Sequence, residues 1–183
     1  MRIIGGKYRS RVLADFAGQD IRPTSDRAKE SLFNILSLKT YGARVLDLFC
    51  GSGALGLESL SRGAKEIVFN DCSKESLAIV KKNLASLKIG VGEEAKLSGS
   101  DYLVCLEGVR GQFDIVFIDP PYRFDFGVKA LEKIAQRGIL SENGIAVYER
   151  DRPFEGEVAG LEKYDERKYG KTYFTFFKRK KDE

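Results

Sequence analysis

The chain has 183 residues, 43% hydrophobic and 32% charged, a size and balance that fit one folded domain with a real core and exclude a disordered or fibrous chain. The net charge is only +4, and no apolar run approaches the length of a membrane span. Histidine is absent and three cysteines, Cys50, Cys72 and Cys105, have no Cys-x-x-Cys spacing. A zinc site, a disulfide framework and histidine-based proton transfer are therefore not expected.

The first six residues, Met1-Arg2-Ile3-Ile4-Gly5-Gly6, carry no apolar targeting segment, so a cytoplasmic protein with reduced thiols is expected. Residues 2–13 read as a small hairpin turning at Gly5-Gly6. Lys7, Tyr8, Arg9 and Arg11 follow the turn and no acidic residue interrupts them, which suits contact with phosphates. The same pattern also describes a solvated edge that uses charge to avoid aggregation. Next comes a loop, 20–26, leading into a helix that Thr24 or Ser25 can cap. Ala28, Leu32, Ile35 and Leu36 are spaced as its buried stripe, with Phe33 beside it. Arg22, Asp26, Arg27 and Lys29 are left over for other work.

From 44 onward strands and helices alternate. Strands are predicted at 44–49, 66–69, 95–98, 113–118 and 145–148. Helices are predicted to about 62, over 73–87, from about 102, and over 128–136. The alternation predicts a doubly wound, mainly parallel α/β sheet. Two more strands, 157–163 and 171–178, pair antiparallel around a 164–170 connection. The run Lys178-Arg179-Lys180-Lys181 near the end is either a frayed terminus or a second phosphate contact.

Two motifs carry chemistry. Gly51-x-Gly53-x-x-Gly56 follows the first strand and opens a helix, as in nucleotide sites. It fits a dinucleotide with Asp71 on the ribose, and it fits S-adenosylmethionine (SAM) equally well. Asp47, four positions before the first glycine, favours SAM: it can attract the ligand's ammonium, whereas it would repel a pyrophosphate. The second motif is Asp119-Pro120-Pro121-Tyr122 at the end of the strand 113–118. The prolines end the strand and stiffen the loop. Asp119 and the Pro120 carbonyl offer acceptors, and Tyr122 offers a ring for a flat base. Two acceptors on the hydrogens of an exocyclic amine would localise its lone pair and aim it.

On Asp47 to Gly56, Asp71, Asp101 and the Asp119-Pro120-Pro121-Tyr122 loop, the sequence resembles the class I SAM-dependent methyltransferases that act on exocyclic amines. On 2–7, on 22–34 (Arg-Pro-Thr running into a helix that ends Phe-Asn), and on Tyr169-Gly170-Lys171-Thr172, it is similar to one family among them. That family is the bacterial small-subunit (16S) rRNA guanine-N2 methyltransferases, and the resemblance covers nearly the whole chain. Tyr8 stands where the family usually has tryptophan, a departure that keeps an aromatic ring.

The resemblance implies a Rossmann-like methyltransferase fold with a seven-stranded sheet and an antiparallel C-terminal strand. It implies a substrate-side extension over 1–40 and a catalytic domain over 41–183. It implies SAM as co-substrate, held by Asp47, Phe49, Gly51, Gly53, Asp71 and Asp101, with no metal. Asp119, Pro120 and Tyr122 would be catalytic. Arg9, Arg11, Arg22, Thr24, Asp26 and Pro121 would face the substrate. The implied partner is 16S rRNA in the small subunit or an assembly intermediate, with ribosomal proteins helping to present it to a monomeric enzyme. A DNA adenine amino-methyltransferase shares the Asp-Pro-Pro-Tyr loop, but 183 residues leave no room for a separate DNA-reading domain. A nicotinamide oxidoreductase is opposed by Asp47. A catalytically silent SAM-binding, RNA-associated protein stays open.

Overall fold

The computed structural model describes residues 1–16, 25–121 and 125–181. Among these, seven strands form one sheet in the order β3-β2-β1-β4-β5-β7-β6. The strands are β1 (Arg44–Asp47), β2 (Glu66–Asn70), β3 (Ala95–Ser98), β4 (Phe113–Ile118), β5 (Leu140–Arg150), β6 (Leu161–Tyr169) and β7 (Thr172–Arg179). The first five run parallel, and β7 is antiparallel to both neighbours. The helices are α1 (Asp26–Leu36), α2 (Ala54–Ser61), α3 (Lys74–Ser86), α4 (Tyr102–Gly108) and α5 (Phe126–Gln136). This is the class I methyltransferase arrangement.

The central strands are apolar at nearly every position because helices cover both faces. Val45, Ile67, Ile115 and Phe117 pack on one face with α1, α2 and α3. Leu46, Val68, Val116 and Ile118, one residue out of phase, pack on the other with α4 and α5. Strand order reverses between β1 and β4, so the chain leaves the sheet in opposite directions there. That crevice, beyond the carboxyl ends of the strands, is where open α/β sheets take ligands.

Four sequence expectations need correction. The 164–170 connection is in fact most of β6, whose turn is the two residues Gly170-Lys171. An edge strand can be charged on its open side, which masked the pattern. β5 reaches from 140 to 150 rather than 145 to 148, across an irregularity in its pairing with β4. In α1, Ala28, Leu32 and Leu36 are buried as expected, but Phe33 is fully buried and Ile35 is 36% exposed, so these two exchange places. Lys29, set aside as free, is 1% exposed and pairs with Glu58 at 3.5 Å.

The 2–13 segment is a wider loop than a Gly-Gly hairpin, closed by one bridge between Arg2 and Val12. Its backbone hydrogen bonds partly cross the segment, with Ile3 N–H donating to the Arg11 carbonyl, Ser10 N–H to the Ile3 carbonyl and Leu13 N–H to the Met1 carbonyl, and partly dock it on α2. Glu58 accepts from the Ile4 and Gly5 N–H groups at 2.8 and 2.9 Å. The Ser61 carbonyl accepts from Lys7, and its hydroxyl from Tyr8. Gly6 lies so close to that carbonyl, at φ +76°, that no side chain fits.

Candidate functional site

A cavity of about 1150 Å³ opens along the carboxyl ends of the parallel strands. Phe49, Gly51, Asp71, Asp101, Asp119, Pro120 and Pro121 line it, from stretches that lie far apart in sequence.

The glycine loop forms its floor. Gly51 and Gly53 hold φ of +52° and +84°, conformations that favour glycine. Gly51 N–H donates to Asp71 Oδ2 at 2.9 Å, and Ser73 N–H donates to Asp71 Oδ1 at 2.8 Å. The Asp71 carboxylate is thereby fixed at the lip with a further lone pair on each oxygen. Gly56 works differently. A side chain there would collide with the Phe69 ring, so this glycine lets α2 press on β2. Gly53 also sits behind the loop, close to Val80 and Phe69.

Asp47 lies beneath the loop rather than in the cavity wall. It is 2% exposed and accepts from Gly56 N–H at 3.0 Å. Burial pushes its carboxyl up to about 7, the Gly56 bond opposes this, and the charges of Asp71 and Glu149 add to it. Asp119, half-buried, is held well above the usual carboxylate range, first by burial and then by Glu149 and Asp47. Glu149, 4% exposed at the end of β5, is thus a third carboxylate behind the site, which the sequence reading missed. Its place one residue beyond the Ile118–Tyr148 register pair would have revealed it once β5 was drawn to its full length.

Among the described residues, no donor reaches Asp119 or the Pro120 carbonyl. Asn70 gives a related signal: its amide nitrogen donates to the Leu48 carbonyl, while its buried Oδ1 has no partner among the described residues. An acceptor orphaned in the cavity wall fits a ligand that brings its own donors. Asp101 caps α4 through Leu103 N–H, also with acceptor capacity to spare. This set fits SAM, whose ammonium, ribose hydroxyls and adenine amine are all donors. Phe49, Tyr102 and Phe126 form a row of rings with centroids 5.2 Å apart at each step, an apolar wall for a flat group. Sequence reading missed Tyr102, Phe126 and Asn70; Tyr102 and Asn70 directly adjoin Asp101 and Asp71, and Phe126 lies two residues before the predicted helix.

Other expected site residues lie elsewhere. Arg9 and Arg11 are exposed on the loop docked to α2 and do not line the cavity. Asp26 pairs with Arg2 at 2.9 Å on the surface. Tyr122, Arg22 and Thr24 lie outside the described residues. Lys180 and Lys181 line a separate cavity with Ile134 and Leu140, at the far end of β7. Eight strand residues, roughly 25 Å, separate that end from the start of β7 at the cavity. Phe16 does line the cavity, because Asn83 grips Ala14 through both its carbonyl and its amide group. Among the described residues, no cluster of three or more acidic or cysteine side chains could hold a metal ion. No helix among them is long and apolar enough to cross a membrane.

A family model described as conserved hypothetical protein 95 matches residues 1–178. Ribosomal RNA small subunit methyltransferase D of Haemophilus influenzae is 38% identical over 157 residues, 84% of this chain and 81% of that one. The Escherichia coli protein of the same name is 36% identical, over 82% of this chain and 75% of that one. A solved structure, "Putative methyltransferase yhhF from Escherichia coli", superposes with a TM-score of 0.87 at 33% identity, covering 98% of this chain and 97% of the other.

Proposed function

Because the chain belongs to the conserved hypothetical protein 95 family, we propose that it is a SAM-dependent methyltransferase acting on the exocyclic 2-amino group of a guanine in small-subunit rRNA. The observation that carries the chemistry is the pair of acceptors, Asp119 and the Pro120 carbonyl, at the strand end facing the cavity. The rRNA substrate rests on the relatives' names, and the guanine amine on the sequence resemblance.

The residues divide the work by position. Asp71 accepts from the ribose hydroxyls, Asp101 from the adenine amine, and Asn70 Oδ1 from a donor deeper in the pocket. Phe49 and Tyr102 wall the adenine. When bound, SAM supplies a methyl group already activated by its sulfonium. The protein therefore has to align the amine and exclude water more than it has to activate anything. The target guanine leaves its stack to enter the pocket. Asp119 and the Pro120 carbonyl hold its two amine hydrogens, and Tyr122 stacks on the ring. One amine proton leaves after transfer, and the Asp119 carboxylate, with its raised proton affinity, is placed to take it. No histidine is required. Asp47 sits behind the glycine loop and keeps its shape through Gly56.

The test is Asp119→Ala. Methyl transfer to small ribosomal subunits should fall at least about 100-fold, the order expected for losing a key polar contact to the reacting group. Calorimetric SAM affinity should stay within about threefold, since Asp119 lies at the substrate end. Full activity in the variant would remove Asp119 from this role.

A further inference from the structure

The cavity is electrically divided along the sheet. On the β2 and β3 side its polar lining is acidic: Asp71, Glu75 and Asp101. On the β5 and β7 side it carries Lys168, near the end of β6 and paired with Tyr173 of β7, and Lys171, in the turn that joins the two strands. Asp119 lies in the middle, on β4. Asp151 shares the second side, so among the described residues two cations there face one carboxylate.

Most other cations in this hairpin are paired, and Arg179, which forms no ion pair among the described residues, lines the separate cavity at the far end of β7. Lys163 bridges Glu166, Arg167 bridges Asp165, and Lys178 bridges Glu162. Among the described residues, Lys168 and Lys171 make no ion pair, and both are exposed. Lys168 Nζ rests 5.2 Å above the Tyr173 ring. The turn itself is firmly seated. Tyr169 packs on Phe174, and Thr172 is buried at the start of β7.

We infer that the β6–β7 turn is a phosphate-binding lip of the cavity, with Lys168 and Lys171 holding the backbone of the RNA strand beside the nucleotide presented to Asp119. This rests on the RNA substrate proposed above. The ligand SAM carries cationic and donor groups suited to the acidic half, whereas an RNA strand entering the pocket brings phosphates suited to the other. The lip also lies on the cavity, unlike the Arg9/Arg11 loop and the Lys180–Lys181 tail.

The experiment is steady-state methyl transfer to small ribosomal subunits by Lys168→Gln/Lys171→Gln at several salt concentrations, with SAM affinity measured in parallel. The KM for subunits should rise about tenfold, and the slope of log KM against log salt should fall by about 1 to 1.5, for two phosphate contacts on a single strand. SAM affinity should not change. The Lys168→Met/Lys171→Met variant, which keeps the stems and removes the charges, should raise KM as much as the glutamine variant, which a purely structural role for the lysine stems would not predict. An unchanged KM and salt slope would overturn the lip, and so would a loss of SAM affinity with RNA KM intact. Both results leave the methyltransferase reading standing. If the parent protein transfers no methyl to any RNA, that reading fails, and the lip falls with it.

Discussion

Replacing Glu58 by alanine should cost more than any surface change of similar size. Glu58 is 0% exposed and accepts from Ile4 N–H, Gly5 N–H and Arg62 Nε at 2.8 to 2.9 Å. Lys29, 1% exposed, lies 3.5 Å from it and also donates to the Arg2 carbonyl. Burial pushes the Lys29 amine below its usual range, and Glu58 is the main charge opposing that. Without Glu58, an ammonium is left buried with no counter-charge in contact, a loss of about 3–5 kcal/mol. Lys29→Met should cost about 1–2 kcal/mol, because Glu58 keeps its other donors. The double variant should be more stable than Glu58→Ala alone. Urea denaturation reads each midpoint, and amide exchange at Ile4 and Gly5 reads whether the N-terminal loop has come loose. The defect should shrink at high pH, where the amine is neutral. A Glu58→Ala loss under about 1 kcal/mol, or a double variant worse than Glu58→Ala, would refute the assignment of this charge hub as the anchor of the loop.

Two further expectations follow from the site. Asp71→Ala should weaken SAM binding by about 1–3 kcal/mol, since the carboxylate holds Gly51 and, in the proposed reading, meets the ribose; calorimetry would show it. Asp47 titrates near 7 when folded, against a usual value of 3.8, so its stabilising effect is full below about 4 and is lost as pH rises through 7. Measured without ligand, the parent should therefore lose up to about 4 kcal/mol relative to Asp47→Asn between pH 4 and pH 7.5. A stability difference flat across that range would show that Asp47 is not buried as described.

The parallel half of the sheet was legible because strands covered on both faces must be apolar throughout, and each ended in a visible break: Asn70-Asp71, Gly99, Pro120. The carboxylates at those ends were legible for the same reason. β6 was not, because an edge strand needs no apolar alternation on its open side. Lys29 was not, because sequence shows a charge but not the partner that makes its burial tolerable; Glu58 is 29 positions away. The acidic half of the cavity lining could be read from single motifs. Its other half could not, because Lys168 and Lys171 reach the cavity only through the direction of β7. The same direction carries the basic tail, which the sequence left open between a frayed terminus and a phosphate contact, to the far end of β7.

The most direct test incubates the purified protein with methyl-labelled SAM and small ribosomal subunits lacking the modification, then digests the RNA to nucleosides. Label in 2-methylguanosine, lost in Asp119→Ala, is the predicted result. Label in another nucleoside, or none while SAM still binds, would contradict the account.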